Sequence, residues 1–217
     1  MAGIPPQRAE RAALCDLFLE VGPSAPTLCE GWRTDDLATH LVIRERNPLA
    51  GPGLVLGGAA AALTARILAR TKAAHTYEDM VARVRRGPPP WTAPFDALIN
   101  LTEYFVHHED VRRGGGDTTP RHGPEVAPVE AALWKSLSRS ATLLTRPLRG
   151  PLQGIGLDLV RPDGAVVHAR PGTTPATLTG TAGEIALFLT GRGEAARVEL
   201  GGPTEAVAAL RAARFGL

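Results

Sequence analysis

Residues 95–113 of this chain read FDALINLTEYFVHHEDVRR, and three glycines, Gly114 to Gly116, follow them. The apolar residues of the stretch recur at helical spacing, at Leu98, Leu101, Phe105 and Val106. Consecutive glycines end a helix, because they lose more conformational freedom in it than any other residue. The stretch therefore predicts one long, largely buried helix that ends near Gly114.

Glu103 and His107 are four residues apart in this helix, so their side chains lie one above the other on the same face. A carboxylate and an imidazole in this arrangement can bind one divalent metal. Most such pairs in proteins are a surface acid and a packed histidine. Here the flanking Tyr104 to Val106 predict burial, and a buried carboxylate without a partner is costly. The sequence therefore predicts a partner for Glu103, and a divalent metal is one candidate.

A third ligand is available in residues 34–44, which read TDDLATHLVIR. Thr34 is a good N-cap and two aspartates follow it, so a helix is predicted to start here. Asp36, His40 and Arg44 then fall on one face, a pattern typical of a cavity wall, although a lone His in an apolar helix is more often a core residue. With Glu103 and His107, His40 would leave one coordination position open, as in catalytic zinc sites.

Two further polar residues are candidate catalytic groups. Arg44 is interpreted as a contact for an anionic substrate group, with a salt bridge to Asp36, Glu45 or another acid as the alternative. Asp110 is three residues after His107 and is predicted to orient its ring, with an ion pair to Arg112 or Arg113 as the alternative.

Two other kinds of residue are predicted to lie outside the ligand set. His108 lies about 100° around the helix from His107, so it is expected off the ligand face. Cys15 and Cys29 lack the spacing of a metal or redox motif and are interpreted as structural.

The rest of the chain changes character near Gly154. Before it the pattern is helical, beginning with a helix over Pro6–Val21. After it, residues 156–161 and 165–170 alternate around the turn Pro162-Asp-Gly164, which predicts a hairpin, and an apolar helix follows at Ala182–Leu189. The expected fold class is α+β, with a helical domain over 1–148 and a small α/β domain over 149–217.

Composition excludes several classes of protein. Of the 217 residues, 44% are hydrophobic and 21% charged, which is typical of a globular protein. The net charge of +2 and the lack of a basic cluster argue against a nucleic-acid partner. No apolar run approaches the roughly 20 residues of a membrane helix, so no membrane partner is expected. With no signal-peptide pattern and two cysteines, the expected location is the cytoplasm.

Two motifs resemble those of a known family. The segment CEGWRTDDLATHL at 29–41 resembles the W-x-x-x-D-L-x-x-H-L signature of DinB-like proteins, and EYFVHHED at 103–110 resembles the E-x-x-x-H-x-x-D helix of their mycothiol-dependent maleylpyruvate isomerase branch. Residues 179–192 are similar to part of the smaller C-terminal α/β domain of that branch.

The resemblance implies a four-helix bundle in which His40, Glu103 and His107 bind a divalent metal, typically zinc. It also implies thiol chemistry, with mycothiol as cosubstrate and a small electrophile as substrate, so that the chain would be a thiol transferase or isomerase. Maleylpyruvate itself does not carry over. Two other functions stay open: a non-catalytic metal- or ligand-binding stress-response protein, and a metal-dependent hydrolase.

Overall fold

The computed structural model describes residues 3–46, 58–89, 96–145 and 152–216, and the side chains of all of these except residues 58–61 and 96–99. Across these ranges the chain combines eight helices with one four-stranded sheet, as the predicted α+β class requires. The chain divides into two compact units, residues 1–117 and 118–217.

The first unit is helical over the described residues. Its helices are α1 (Pro6–Val21), α2 (Thr34–Arg46), α3 (Gly58–Ala74), α4 (Tyr77–Arg86) and α5 (Asp96–Gly114). Helix α1 packs against α4 and α5, whereas α2 packs against α3 and α4. One apolar core joins four of these helices, and its members include Leu14, Phe18, Leu37, Leu41, Met80, Val84 and Tyr104. This core holds α2 and α5, which carry the candidate ligands, in one compact unit.

The start of α2 differs in detail from the sequence-based prediction. Thr34 lies inside the helix, and its hydroxyl donates to the carbonyl of Gly22 in the preceding loop. Asp36 accepts a hydrogen bond from the backbone N–H of Arg33 at 3.0 Å, and the first N–H groups of the helix, of Thr34 and Asp35, donate to the loop carbonyls of Ala25 and Pro23. Thr34 therefore ties the loop to the helix instead of acting as its N-cap.

The second unit contains helix and sheet. Its elements are α6 (Ala127–Thr145), β1 (Ile155–Val160), β2 (Val166–Arg170), β3 (Thr174–Thr179), α7 (Ala182–Leu189), β4 (Glu199–Gly201) and α8 (Thr204–Ala212). The strand order is β2-β1-β3-β4. Strands β1 and β2 form the predicted antiparallel hairpin, β3 pairs with β1 in parallel, and β4 is antiparallel to β3.

The position of α6 bears on the boundary between the units. The boundary predicted at 148/149 lies within residues 146–151, outside the described residues. Helix α6 packs on β2 and α7, and Thr145 at its end donates to the carbonyl of Ala169 in β2 at 3.2 Å. Contacts therefore group this helix with the sheet, although its sequence pattern is that of the preceding helices. None of the described helices is long and apolar enough to span a bilayer.

The core of the helical unit gives a stability prediction. Leu14→Ala should lower the free energy of unfolding by about 3 kcal/mol, because Leu14 is fully buried and its truncation leaves a cavity. Leu19→Ala, on the same helix, is the matched control: this side chain is 52% exposed, and its loss should cost about 0.5 kcal/mol or less. Urea denaturation of both variants measures the difference. Equal losses would show that α1 does not pack as described.

Candidate metal centre

Two helices carry the three predicted ligands. His40 lies on α2, and Glu103 and His107 lie one turn apart on α5. Both histidine side chains are buried, at 9% and 8% exposed, whereas the side chain of Glu103 keeps 28% of its surface accessible. Glu103 is therefore the most accessible of the three candidate ligands.

The structure brings the three side chains together at one oxygen atom. Glu103 Oε1 is 3.1 Å from His107 Nε2 and 3.4 Å from His40 Nε2. One donor atom from each residue lies within 4.8 Å of the others. The two rings are nearly perpendicular, at 75°, with centroids 5.3 Å apart. The residues selected from the sequence thus converge from two helices on one point.

These distances suit a tetrahedral ion. With ligand atoms about 2.0–2.1 Å from the metal, neighbouring ligands in a tetrahedron are about 3.3 Å apart. The two observed separations, 3.1 and 3.4 Å, lie on either side of that value. Two imidazoles and a carboxylate are also a donor set that zinc accepts. The residues present therefore fit a divalent ion.

Asp110 contacts His107 as the sequence predicts. Its Oδ2 atom is 2.8 Å from Nδ1 of His107, and the carboxylate is fully buried. Because Nδ1 is engaged by Asp110, the ring presents Nε2 to Glu103. A carboxylate on the outer nitrogen is the usual companion of a metal-binding histidine, since it fixes the orientation of the ring.

Arg44 also contacts the predicted ligand set. Its Nε atom is 3.2 Å from Glu103 Oε1, and its Nη1 donates to Oδ1 of Asn100 at 2.5 Å. The two acids named as alternative partners have other contacts: Asp36 pairs with Lys72 at 2.7 Å, and Glu45 accepts from the hydroxyl of Tyr104. The structure thus shows the alternative, a salt bridge to another acid, with Glu103 as that acid, and the substrate contact of Arg44 stays a prediction.

The loop before α2 adds two residues that the sequence-based reasoning did not place at the site. The ring of Trp32 lies 5.2 Å from that of His40, centroid to centroid. Cys29 Sγ donates to Oδ2 of Asp110 at 3.2 Å, and the backbone N–H of Leu28 donates to the Asp110 carbonyl at 3.0 Å. The loop thus contacts residues of both ligand-bearing helices. The available signal was the short distance in sequence between Cys29 and His40.

Cys29 also belongs to a second group of possible donors. Cys29, His107 and Asp110 each offer one atom within 4.8 Å of the others. The two groups share His107, which faces one group with each ring nitrogen. Which nitrogen binds a metal therefore decides between them, and the contact of Nδ1 with buried Asp110 favours Nε2.

The charges of the cluster are set by burial and by hydrogen bonds. Burial lowers the pKa of His40 and so favours its neutral form, which is the form that binds metal. Burial alone would raise the pKa of Glu103, but hydrogen bonds from His107 and His40 hold it well below its usual range. Burial would likewise lower the pKa of His107, but its contacts with Asp110, Cys29 and Glu103 raise it well above normal. Glu103 is therefore ionised and able to act as a ligand, whereas the metal-free protein favours the protonated form of His107, which must release a proton when it binds a metal.

His108 points away from this cluster, as predicted from its position on the helix. Its Nδ1 atom is 2.8 Å from Oε1 of Glu10 on α1, and both side chains are buried. The adjacent histidines of α5 thus serve different contacts, His107 at the candidate site and His108 between α1 and α5.

Comparisons of the chain with protein-family models, with curated proteins and with solved structures give no match.

The contact between Asp110 and His107 gives a prediction for zinc affinity. Asp110→Asn should raise the Kd for zinc by about 10- to 100-fold, because a neutral amide holds and polarises the ring less well than a carboxylate. Asp36→Asn is the control, since Asp36 lies one turn from His40 but pairs with Lys72; its Kd should match the wild type. Competition with a chromogenic chelator measures both. Equal Kd values for the two variants would show that Asp110 does not support zinc binding.

Proposed function

We propose that this chain binds a divalent metal, zinc by its donor set, and acts as a mycothiol-type thiol transferase or isomerase on a small electrophile. His40, Glu103 and His107 are the proposed ligands, and Asp110 orients His107. The observation that carries the proposal is the convergence of the two imidazole Nε2 atoms on a single carboxylate oxygen, at 3.1 and 3.4 Å. The thiol chemistry rests on the resemblance of residues 29–41 and 103–110 to the DinB-like motifs.

The proposal includes the four-helix bundle that the resemblance implies. Helices α1, α2, α4 and α5 contribute to one core, which supports such an arrangement. In a bundle of this kind, metal ligands project inward from facing helices. The placement of His40 on α2 and of the Glu103/His107 pair on α5 agrees with that scheme.

The protein groups have distinct roles in this proposal. A zinc ion held by two neutral histidines and one carboxylate would keep one net positive charge and an open position, and so would lower the pKa of an incoming thiol. Asp110 would accept a hydrogen bond from Nδ1–H of His107, which leaves the lone pair of Nε2 directed towards the metal position. The ring of Trp32 packs at a tilt against the His40 ring, with centroids 5.2 Å apart.

Metal binding is the first test. The wild-type protein should bind one equivalent of zinc, and His107→Ala should abolish this binding because it removes a ligand. His108→Ala is the matched control, as it deletes the neighbouring imidazole, whose partner is Glu10. Metal analysis after gel filtration measures the stoichiometry. Zinc bound equally by both variants would contradict the proposed ligand set.

The thiol chemistry has a separate spectroscopic test. Mycothiol added to the cobalt-substituted protein should produce a sulfur-to-cobalt charge-transfer band in the near ultraviolet, and Glu103→Ala should remove or weaken the band. The experiment is repeated with Cys29→Ser, because the Cys29 thiol lies close to His107 and Asp110 and is a sulfur source within the protein. The band should persist in this variant.

A cobalt spectrum that mycothiol and simpler thiols leave unchanged would contradict the thiol-transferase assignment while leaving the metal site in place. A metal-dependent hydrolase or a non-catalytic metal-binding protein would then be the better description.

A further inference from the structure

Three positively charged or hydrogen-donating side chains contact the same atom, Oε1 of Glu103. Glu103 Oε1 is contacted by His40, His107 and Arg44, and the guanidinium Nε of Arg44 is 3.2 Å away. The Arg44 side chain is 22% exposed, so it is more accessible than the two buried rings. Its Nη1 atom is held by Asn100, which is 5% exposed.

In this arrangement the guanidinium and a bound metal ion would contact the same carboxylate oxygen. An ion bound to Oε1 at about 2.1 Å would lie no more than about 5.3 Å from Arg44 Nε, given the 3.2 Å contact. One carboxylate charge would then face a divalent ion and a guanidinium together. Charges of the same sign at that separation in a partly buried site repel each other appreciably. Simultaneous contact of both cations with Glu103 Oε1 is therefore unfavourable.

We propose that Arg44 and the metal compete for Glu103. In the metal-free protein the guanidinium neutralises the carboxylate; on metal binding it gives up this contact and becomes the binding group for an anionic part of the substrate. This inference rests on the proposed function and narrows its substrate class to small electrophiles that carry a carboxylate. A guanidinium binds carboxylates through paired hydrogen bonds, and the anchor on Asn100 keeps it beside the metal position.

A purely positioning role for Arg44 predicts the opposite change in zinc affinity. If Arg44 served only to hold Glu103 in place for the metal, its neutral replacement would weaken zinc binding. If Arg44 competes with the metal, the same replacement tightens it. By linkage, the metal and the anion should then favour each other's binding.

The experiment measures zinc affinity by chelator competition in four variants. Arg44→Gln and Arg44→Met remove the charge and should bind zinc about three- to tenfold more tightly, on the scale where each 1.4 kcal/mol is a factor of ten. Arg44→Lys keeps the charge and should stay near the wild type. Arg46→Gln is the matched control on the same helix, since Arg46 donates to the carbonyl of Gly87 at 2.8 Å. Circular dichroism confirms that each variant is folded.

A second measurement titrates succinate into each protein by calorimetry. Succinate should bind the zinc-loaded wild type and Arg46→Gln, bind at least about tenfold more weakly to zinc-loaded Arg44→Gln, and bind weakly to metal-free wild type.

The outcomes separate this inference from the proposed function. A wild-type protein that binds no zinc overturns both. Zinc binding in the wild type with unchanged or weaker affinity in the neutral Arg44 variants overturns the competition alone. Tighter zinc binding with unchanged succinate affinity overturns the substrate role of Arg44.

Discussion

The carboxylate of Glu103, placed between α2 and α5, is the interaction on which the candidate site depends. It accepts contacts from an imidazole on each helix and from the guanidinium of Arg44. A partly buried carboxylate needs such partners, because the loss of hydration must be compensated. Removing it would leave the buried rings of His40 and His107 facing a cation without a counter-charge. The Glu103 carboxylate therefore couples the relative orientation of α2 and α5 to the geometry of the candidate metal site.

Helix α5 also carries other side chains that form charged pairs. His107 contacts Asp110, His108 contacts Glu10, and Arg113 contacts Glu109, all of them buried. Buried ion pairs are often no more stabilising than apolar packing of equal volume, so stability alone is a weak reason to keep them. Two of these pairs, His107–Asp110 and Arg113–Glu109, lie within α5 and hold its own side chains in place. The pair of His108 with Glu10 joins α5 to α1, and it therefore constrains the rotation of α5 about its axis.

Features that depend on local spacing could be predicted from the sequence. The bounds of α1 and α7 match the predicted helices, and the one-turn spacing of Glu103 and His107 places both on one face. His40 could be proposed only as a candidate partner, because its distance from Glu103 is set by how two helices pack. Three other features join parts of the chain that are distant in sequence: the hydrogen bond of Cys29 to Asp110, the contact of Arg44 with Glu103, and the parallel pairing of β1 with β3. Periodicity within one segment contains no information about them.

The central claim is that a metal binds between the Nε2 atoms of His40 and His107 and the Glu103 carboxylate. Anomalous diffraction at the zinc absorption edge, from crystals grown with one equivalent of zinc, tests it most directly. One anomalous peak is expected about 2.0–2.1 Å from both Nε2 atoms and from a Glu103 oxygen. A peak among Cys29, Asp110 and Nδ1 of His107, the second donor group found among the described residues, would contradict it, as would the absence of any peak near His107.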